Sequence, residues 1–328
     1  MRILVTGGAG YIGSVIVEAL VGQGHQVTVI DSLAKGHRAA VTPPATLSTV
    51  DLADREAVQR LLTEHGIEAV VHMAADSLVG ESMQHPAKYF RNNVINGLHL
   101  VEAMLASGVK RMVFSSTAAV YGEPAEVPIT EDFPLVPTNV YGESKLAFER
   151  MLYWFQRAHG VRWVALRYFN AAGATERLGE DHDPESHLIP IVLQVPLGRR
   201  DHVPLFGTDY PTPDGTCIRD YIHVADLAGA HILALEALSR DEVESAVYNL
   251  GDGRGYSNRQ VIEAARRVTG HPIPVVESPR RPGDPAALVA SSERIRRELG
   301  WAPRFGEIEA IVASAWRWHQ RLPDGYPE

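Results

Sequence analysis

The chain of 328 residues has almost no cysteine, since Cys217 is the single one. An intrachain disulfide is therefore impossible, and the cysteine content gives no sign of an oxidising compartment. Apolar runs of the length needed to cross a bilayer, about 18 residues, are missing too, and the N-terminus enters an apolar strand pattern without a charged leader. We therefore expect a cytoplasmic protein without a membrane segment.

An excess of basic residues is also missing. Lysine and arginine total 31 against 40 aspartates and glutamates, and the formal net charge of −9 argues against a general nucleic-acid binder. What the chain does have is 45% hydrophobic and 22% charged residues, as a globular protein with a sizeable core would. The length predicts one large or two moderate domains.

Short β-rich runs alternate with longer helical patterns, which predicts parallel βαβ units with helices on both faces of one sheet. We therefore predict an α/β protein built on a Rossmann-type doubly wound parallel sheet, with a smaller C-terminal α/β domain for substrate. The predicted strands are Arg2–Thr6, Gln26–Ile30, Leu47–Val50, Ala69–Met73, Arg111–Phe114 and Val161–Leu166. The predicted helices are Ile12–Val21, Arg55–Glu64, Asn92–Ser107 and Val140–His159.

The character of the sequence changes after about Asn170, where dense loops and proline-rich joins begin. This predicts a first domain over residues 1–170 and a second over residues 171–328. The helical pattern His223–Ser239 could pack back on the first domain. Because no flexible linker separates the two parts, we expect them to share a substantial interface.

A glycine-rich run directly follows the first predicted strand. Gly7, Gly10 and Gly13 have GxxGxxG spacing, one residue different from the GxGxxG of many dehydrogenases. Glycines at such positions allow a tight turn, close approach of the backbone to a diphosphate, and close packing of helix on strand. The run predicts a dinucleotide site at the start of the following helix.

Asp31 follows the second predicted strand, eighteen residues after Gly13. A carboxylate there can hydrogen-bond the adenosine ribose hydroxyls and would repel a 2′-phosphate, which favours NAD over NADP. The alternative is that Lys35, His37 and Arg38 accept that phosphate; otherwise they belong to a solvated loop.

Further cofactor contacts are predicted after the third and fourth strands. Asp51 and Leu52 could reach the adenine, and Met73–Ala75 offers small residues for the cofactor to lie over. For Asp51 the alternative is a helix cap leading into Arg55–Glu64.

Tyr141 and Lys145 are four residues apart, on one face of a predicted helix. Tyrosine has an ordinary pKa of about 10, so a base that works near neutrality needs its phenolate favoured by roughly 4 kcal/mol. A lysine ammonium at about 4–5 Å in a partly shielded site supplies an interaction of that order. The pair is suited to deprotonating an alcohol as hydride leaves its carbon, although i,i+4 surface pairs are common.

Hydroxyl groups follow the predicted strand Arg111–Phe114, at Ser115–Thr117. Open α/β sheets bind ligands at this carboxyl edge, so Thr117 can hydrogen-bond the reacting oxygen. The alternative is that these hydroxyls only cap the next turn.

The runs Thr6–Gly13, Ser115–Thr117 and Tyr141–Lys145 resemble the extended short-chain dehydrogenase/reductase family. Longer stretches are similar to the UDP-sugar 4-epimerases of that family along nearly the whole chain. These stretches are Val79–Ser82, Arg167–Asn170, Arg219–Val224, Tyr248–Gly251 and Arg280–Asp284.

The resemblance implies a hydride shuttle without net redox change, interconverting UDP-galactose and UDP-glucose. Tyr141 would take the proton of the sugar 4-hydroxyl while tightly held NAD⁺ takes the C4 hydride. The 4-keto sugar would then turn over and receive the hydride on its other face. The implied partners are a UDP-sugar and a second copy of the chain, with no nucleic acid and no membrane.

The resemblance also implies roles for individual residues. Thr117, Tyr141 and Lys145 would be catalytic. The cofactor would contact Gly7, Gly10, Tyr11, Ile12, Gly13, Asp31, Ser32, Asp51, Leu52, Met73, Ala74, Ala75, Ser77, Asn92, Ser115, Tyr141, Lys145 and Tyr168. The UDP-sugar would contact Thr117, Tyr141, Asn170, His187, Leu188, Phe206, Arg219, Arg281, Asp284 and Leu288, with the two arginines on the diphosphate.

Three positions depart from the family pattern. Thr117 replaces a common serine and keeps its hydroxyl. Leu288 lies seven residues after Arg281, where some relatives carry a tyrosine that crowds the 2-position of the hexose. The smaller residue predicts some activity on UDP-N-acetylhexosamines. His187 stands where some relatives have asparagine, and its contact with sugar or backbone stays open.

The segment 180–187 could be imagined as a metal site, because it combines carboxylates and imidazoles. Its candidate ligands are Glu180, Asp181, His182, Asp183, Glu185 and His187. We favour a polar surface or a substrate-covering loop and predict no metal, since nothing in the redox mechanism calls for one.

Other functions remain as alternatives. A nucleotide-sugar 4,6-dehydratase would carry an Asp-Glu pair directly after the strand-end threonine, where this chain has Ala118 and Ala119. Epimerases of UDP-glucuronate or UDP-pentoses stay possible, and a non-catalytic NAD-binding regulator is less consistent with Thr117, Tyr141 and Lys145.

The helices Asn92–Ser107 and Val140–His159 are predicted to form a homodimer interface, as the resemblance suggests. Their apolar surplus consists of Met151, Leu152, Trp154 and Phe155. A contact between domains would explain it nearly as well.

Overall fold

The computed structural model of the chain describes residues 1–281 and 283–327. Its strands are β1 Arg2–Thr6, β2 Gln26–Asp31, β3 Thr46–Thr49, β4 Ala69–His72, β5 Arg111–Thr117, β6 Arg162–Tyr168, β7 Asn170–Ala172, β8 Val203–Phe206, β9 Ile218–Arg219, β10 Tyr221–His223, β11 Ser245–Leu250, β12 Tyr256–Ser257, β13 Val275–Ser278 and β14 Ala287–Leu288. Its α-helices are α1 Tyr11–Gly22, α2 Arg55–Glu64, α3 Val79–Gln84, α4 Pro86–Phe90, α5 Asn96–Ala106, α6 Val140–His159, α7 Leu188–Leu193, α8 Val224–Ser239, α9 Asn258–Thr269, α10 Glu293–Leu299 and α11 Ile308–Arg321.

The largest sheet has seven strands in the order β11-β6-β5-β4-β1-β2-β3. All of its neighbouring strands are parallel. The strand order reverses between β1 and β4, and ligands of doubly wound sheets bind beyond the carboxyl ends of the strands at such a point. The predicted Rossmann-type fold is confirmed, and the glycine run after β1 lies at this reversal.

Each face of the sheet carries its own core. One core joins apolar side chains of the sheet to α1 and α8. The helices contribute residues such as Val15 and Ile16 from α1 and Leu235 from α8. The core on the opposite face joins the sheet to α2, α5 and α6, with Phe148 and Leu152 from α6 fully buried. Because both faces of these strands are buried, their residues do not alternate between apolar and polar, and the strands are continuous apolar runs in the sequence.

Helix α8 and strand β11 belong to the large sheet and its covering layer, although both lie after residue 170. The predicted boundary at residue 170 therefore does not coincide with the end of the sheet, and the division into domains stays a prediction. The sequence analysis missed β11 as a strand. It is an edge strand that pairs with β6 alone, and its half-exposed positions carry a weaker apolar signal than the inner strands.

The remaining elements form small sheets and a third core. Two-stranded sheets join β10 with β7 and β13 with β8, and β9 lies between β12 and β14. Helices α7, α9 and α11 pack together through buried residues such as Ile191, Val261 and Ile311. No helix within residues 1–281 and 283–327 is long and apolar enough to cross a membrane.

The predicted helix Asn92–Ser107 has two parts. A π-helical turn covers Arg91–Ile95 and α5 follows it. The side-chain Nδ2 of Asn92 donates to Asp76 Oδ2 at 2.9 Å, and the side-chain Nδ2 of Asn96 donates to Asn92 Oδ1 at 3.0 Å. Wider π-helical turns occur frequently at functional sites, and this one faces the loop after β4.

Candidate active site

The glycine run after β1 touches the chain after β4 backbone to backbone. Gly7 has φ +68°, and a Cβ there would lie 2.6 Å from the amide nitrogen of Ala74. A Cβ at Gly13 would lie 2.1 Å from the carbonyl oxygen of Gly7. Gly10 precedes α1 as its N-cap without a side-chain hydrogen bond, so no side chain fills the space before the first helical turn. This open, positively polarised helix terminus fits a dinucleotide diphosphate.

Asp31 lies at the end of β2 and is buried. Its Oδ2 accepts a hydrogen bond from the Ala9 amide at 3.0 Å, and its Oδ1 accepts one from the Leu33 amide at 2.9 Å. The predicted ribose ligand thus lies directly against the glycine run. Its neighbour Ser32 is exposed.

The three cationic side chains considered for a 2′-phosphate bind other groups. Lys35 donates to the carbonyl of Asp183, and His37 Nε2 lies 3.0 Å from the carbonyl oxygen of Asp181. Arg38 donates to the Thr49 hydroxyl at 3.0 Å. These contacts are consistent with the preference for NAD.

The helix-cap alternative for Asp51 is wrong, because Asp54 caps α2. The carboxylate of Asp54 accepts from the Ala57 amide at 2.9 Å, whereas exposed Asp51 accepts from the Ala53 amide at 2.8 Å in a local turn. Leu52 is buried in the core beneath α2. The predicted adenine contact of Asp51 stays a prediction.

The chain after β4 is held by a side chain of β1. The Thr6 hydroxyl accepts from the amides of Met73 and Ala74 at 3.2 and 3.3 Å. Ala75 is half-buried and Ser77 is exposed.

Asn93 is a buried residue of this loop region that sequence reasoning missed. Its Nδ2 donates to the Asp76 carbonyl at 3.0 Å and to the Ser144 hydroxyl at 2.9 Å, and its Oδ1 accepts from the Asp76 amide at 2.9 Å. It thereby joins the loop after β4 to α6 beside Lys145. The sequence did contain a signal that could have identified Asn93: an amide side chain stands at a position where the helical pattern places a core residue.

Thr117, Tyr141 and Lys145 come from two adjacent elements, the end of β5 and the first turns of α6. Asn139 caps α6 by accepting from the Gly142 amide at 2.8 Å. A Cβ at Gly142 would lie 2.5 Å from the Ala119 carbonyl oxygen, so α6 starts in close contact with the turn after Thr117. The Thr117 hydroxyl accepts from the Ala119 amide at 3.1 Å and so caps the turn after β5, as the alternative interpretation of these hydroxyls expects.

Burial controls the electrostatics of this pair. Burial raises the pKa of Tyr141, and the Thr117 hydroxyl only partly offsets it. Burial also lowers the pKa of Lys145 to about 7, against the opposing effect of the Glu149 carboxylate. The protein without its cofactor therefore does not favour the Tyr141 phenolate, because a poorly solvated site disfavours phenolate and ammonium alike. The expectation of a favoured phenolate included the charge of bound NAD⁺, and it stays a prediction.

Lys145 contacts the site through its ammonium group. Its Nζ donates to the Ser115 carbonyl at 2.8 Å and lies 4.9 Å from the centre of the Phe114 ring. One turn further along α6, the buried Glu149 carboxylate accepts from Arg167 at 2.6 and 3.0 Å and from the Ser116 hydroxyl. Arg167 entered the sequence analysis only within a family stretch, and its buried ion pair was not foreseen.

Tyr168 and Tyr11 also lie at this edge. The Tyr168 hydroxyl contacts His231 and lies 3.7 Å from the Met73 sulfur. The Tyr11 hydroxyl donates to the Gly173 carbonyl at 2.6 Å, so its side chain joins α1 to the chain after β7. Ile12 packs against the core below.

Of the predicted diphosphate ligands, Arg219 lies on β9 of a small sheet and Arg281 lies in the loop between β13 and β14. Buried Arg219 pairs with Asp284, and the guanidinium of Arg281 lies 4.1 Å from the centre of the Phe206 ring. Leu288 of β14 is in register with Arg219 of β9. The structure thus brings these five side chains to one region.

The remaining predicted sugar contacts lie on other elements. Asn170 starts β7 in register with Tyr221, and Leu188 starts α7. His187 directly precedes α7, and its ring contacts Glu180.

Comparison with known proteins extends the similarity over the whole chain. The sequence pattern of the NAD dependent epimerase/dehydratase family matches residues 3–251. A UDP-glucose 4-epimerase of Halalkalibacterium halodurans is 56% identical, over 99% of this chain and 98% of that protein. A crystal structure of UDP-glucose 4-epimerase is 51% identical, covers 100% of both chains and gives a TM-score of 0.97. The UDP-glucose 4-epimerase of Brucella ovis in complex with NAD is 43% identical, over 96% of this chain and 97% of that chain, with a TM-score of 0.93.

We predict that Gly13→Ala prevents dinucleotide binding and destabilises the protein, because its Cβ would overlap the Gly7 carbonyl oxygen. Overpacking of this kind costs about 1–3 kcal/mol. The matched control is Gly22→Ala on the same helix, where nothing lies within 4 Å of an added Cβ. Denaturant unfolding and the NAD content of the purified variants give the comparison, and equal behaviour of both variants would contradict the steric argument.

We predict that Lys145 titrates near pH 7 in the cofactor-free protein, because burial lowers its pKa from 10.5 to about 7. The unfolded chain keeps this lysine protonated up to about pH 10.5, so the shift makes folding more favourable as pH rises from 7 to 10.5. NMR of ¹³C-labelled lysine can follow it, since the chain has only four lysines. The Lys145→Met variant assigns the signal, and four signals that all titrate above pH 9.5 would refute the shift.

Proposed function

The chain belongs to the NAD dependent epimerase/dehydratase family, and from this membership we propose that it interconverts UDP-galactose and UDP-glucose. The observation that supports the proposal is the contact between the start of α6 and the end of β5. Thr117 ends β5, Tyr141 and Lys145 lie in the first turns of α6, and Lys145 donates to the Ser115 carbonyl at the carboxyl edge of the sheet that also carries the glycine run. The enzyme is an isomerase that uses NAD as its cofactor.

The cofactor fits residues that the chain brings together. The space before α1 and the backbone contact of Gly7 with Ala74 suit the diphosphate, and Asp31 suits the adenosine ribose. Bound NAD supplies the acceptor and then the donor of one hydride, so the reaction has no net redox change.

The side chains provide the proton chemistry. Tyr141 accepts the proton of the sugar 4-hydroxyl and later returns a proton to the 4-keto oxygen. Thr117, at the end of β5, hydrogen-bonds the same oxygen of the sugar. Lys145 donates through Nζ to the Ser115 carbonyl. Its protonated form stabilises the Tyr141 phenolate, and negative charge nearby favours that protonated form.

The region of Arg219, Arg281 and Asp284 is proposed to bind the UDP moiety. Two guanidinium groups suit diphosphate oxygens. Asp284 orients Arg219 through their ion pair, and the Phe206 ring supports Arg281. Both arginines are thereby held in place by groups other than the substrate, which reduces the conformational entropy lost on binding.

A dehydratase reaction lacks support at the site. The turn that directly follows Thr117 consists of Ala118–Tyr121, and buried Ala118 and half-buried Ala119 offer no acid or base for protons at C5 and C6. The 4-epimerase reaction needs no such group.

We also propose that two copies associate through the face formed by α5, α6 and the π-helical turn. Ile95, Tyr153 and Trp154 are exposed on it, Trp154 by 65%. Met151 and Phe155 are instead half-buried against the core, and Leu152 is fully buried, so only part of the apolar surplus of α6 is free for a partner. A cytoplasmic location remains a prediction.

The central test is Tyr141→Phe. Purified protein without added NAD should convert UDP-galactose to UDP-glucose, and the variant should lose about 10²–10⁴-fold in kcat because it has no proton acceptor. Tyr153→Phe is the matched control on the same helix: it also removes only a hydroxyl, keeps the exposed aromatic ring that the proposed dimer face uses, and should keep full activity. ¹H NMR of the anomeric protons measures both sugars. Unchanged turnover in the Tyr141 variant, or a stoichiometric need for added NAD, would overturn the proposal.

A second prediction concerns the 2-position of the hexose. Leu288 is half-buried beside Arg219, and its size leaves room for an N-acetyl group. We expect measurable conversion of UDP-GlcNAc to UDP-GalNAc by the unchanged protein, and at least a tenfold loss in Leu288→Tyr with UDP-galactose turnover largely retained. Parallel assays of both substrates measure this. Absence of UDP-GlcNAc turnover beside robust UDP-galactose turnover would refute it.

A further inference from the structure

Four side chains of the loop between β7 and α7 converge next to α7, and one of them, His187, is also among the predicted sugar contacts. They are Glu180, His182, Glu185 and His187, and one ligand atom from each lies within 4.8 Å of all the others. We propose that these four side chains bind one divalent transition-metal ion, and that Zn²⁺ fits the donor set best. The sequence analysis favoured a polar loop because it considered only the redox chemistry, and spacing along the chain did not show that the side chains meet.

The distances fit a tetrahedral site. Zinc bonds of about 2.0–2.2 Å to nitrogen and oxygen place tetrahedral ligands about 3.4 Å apart. His182 Nδ1 lies 3.1 Å from Glu180 Oε1 and 4.0 Å from Glu185 Oε2. His187 Nδ1 lies 3.7 Å from Glu185 Oε1 and also contacts Glu180. Small side-chain rotations would therefore suffice to place all four ligands around one ion.

The electrostatics of the cluster call for positive charge. The side chains of Glu180 and Glu185 are only 5% and 7% exposed. A metal ion would neutralise both carboxylates.

The chemistry of the donors selects the class of ion. Two imidazole nitrogens and two carboxylate oxygens suit zinc and related transition metals, whereas Ca²⁺ and Mg²⁺ prefer oxygen ligands alone. Both histidines present Nδ1 to the common point. All four ligands come from one stretch of eight residues, so one ion would fix the conformation of the whole loop.

The position of the loop indicates a structural role. The His182 ring lies 6.1 Å from the Tyr11 ring, at the start of α1. Lys35 and His37, in the loop after Asp31, bind the Asp183 and Asp181 carbonyls. The ion would therefore hold the loop against the predicted adenosine side of the cofactor site and slow the loss of the dinucleotide, without taking part in hydride or proton transfer.

The test is metal binding by the NAD-loaded protein. After treatment with a chelator, wild type should bind one equivalent of Zn²⁺ by calorimetry and by elemental analysis. Co²⁺ in its place should give the intense visible bands of tetrahedral coordination. The double variant His182→Ala/Glu185→Gln should bind more than about tenfold more weakly. His202→Ala, at an exposed histidine outside the cluster, is the control and should bind as wild type does.

Each outcome decides the proposal. Stoichiometric binding that the double variant loses and the control retains supports it, as does faster NAD release after zinc removal. Absence of stoichiometric Zn²⁺ and Co²⁺ binding by wild type overturns it whether or not the variant folds. Equal binding by wild type and a folded double variant, checked by circular dichroism, overturns it as well.

Discussion

Contact between two backbone segments is the constraint on which the rest of the site depends. The chain after β1 and the chain after β4 meet at Gly7 and Ala74 without room for a side chain, and α1 begins against the same turn. This contact opens the space where a diphosphate meets the start of a helix. Asp31 and Thr117 end their strands at the same carboxyl edge of the sheet.

Burial is the second determinant of the site. It raises the pKa of Tyr141 and lowers that of Lys145, so the protein without its cofactor disfavours the charged form of both groups. The Glu149–Arg167 ion pair below them is itself buried and fully hydrogen-bonded, so it places a negative charge near Lys145 in a defined position. The positive charge of an oxidised nicotinamide would favour the phenolate, which couples proton transfer to the presence of the cofactor.

Much of the fold was predictable because it depends on local patterns. Six of the seven strands of the large sheet were predicted within a few residues, since inner parallel strands are apolar runs bounded by turns. The edge strand β3 was found but the edge strand β11 was missed, since polar Ser245 and Asn249 leave β11 without a continuous apolar run. The cap of α2 is Asp54, whereas the sequence offered Asp51 as an alternative cap, because both aspartates precede α2 and only the backbone angles decide which one reaches a helix amide.

The sequence by itself determined the fold class, the dinucleotide preference and the residues proposed for chemistry, because glycine spacing and the Tyr141–Lys145 pair act over a few residues of chain. Only the tertiary structure decided the protonation tendency of those two groups, the Asn93 and Glu149 contacts, and the convergence of Glu180, His182, Glu185 and His187. Those properties depend on which distant segments exclude water and which charges face one another. Desolvation and Coulomb interactions act through space, and the order of residues along the chain does not specify them.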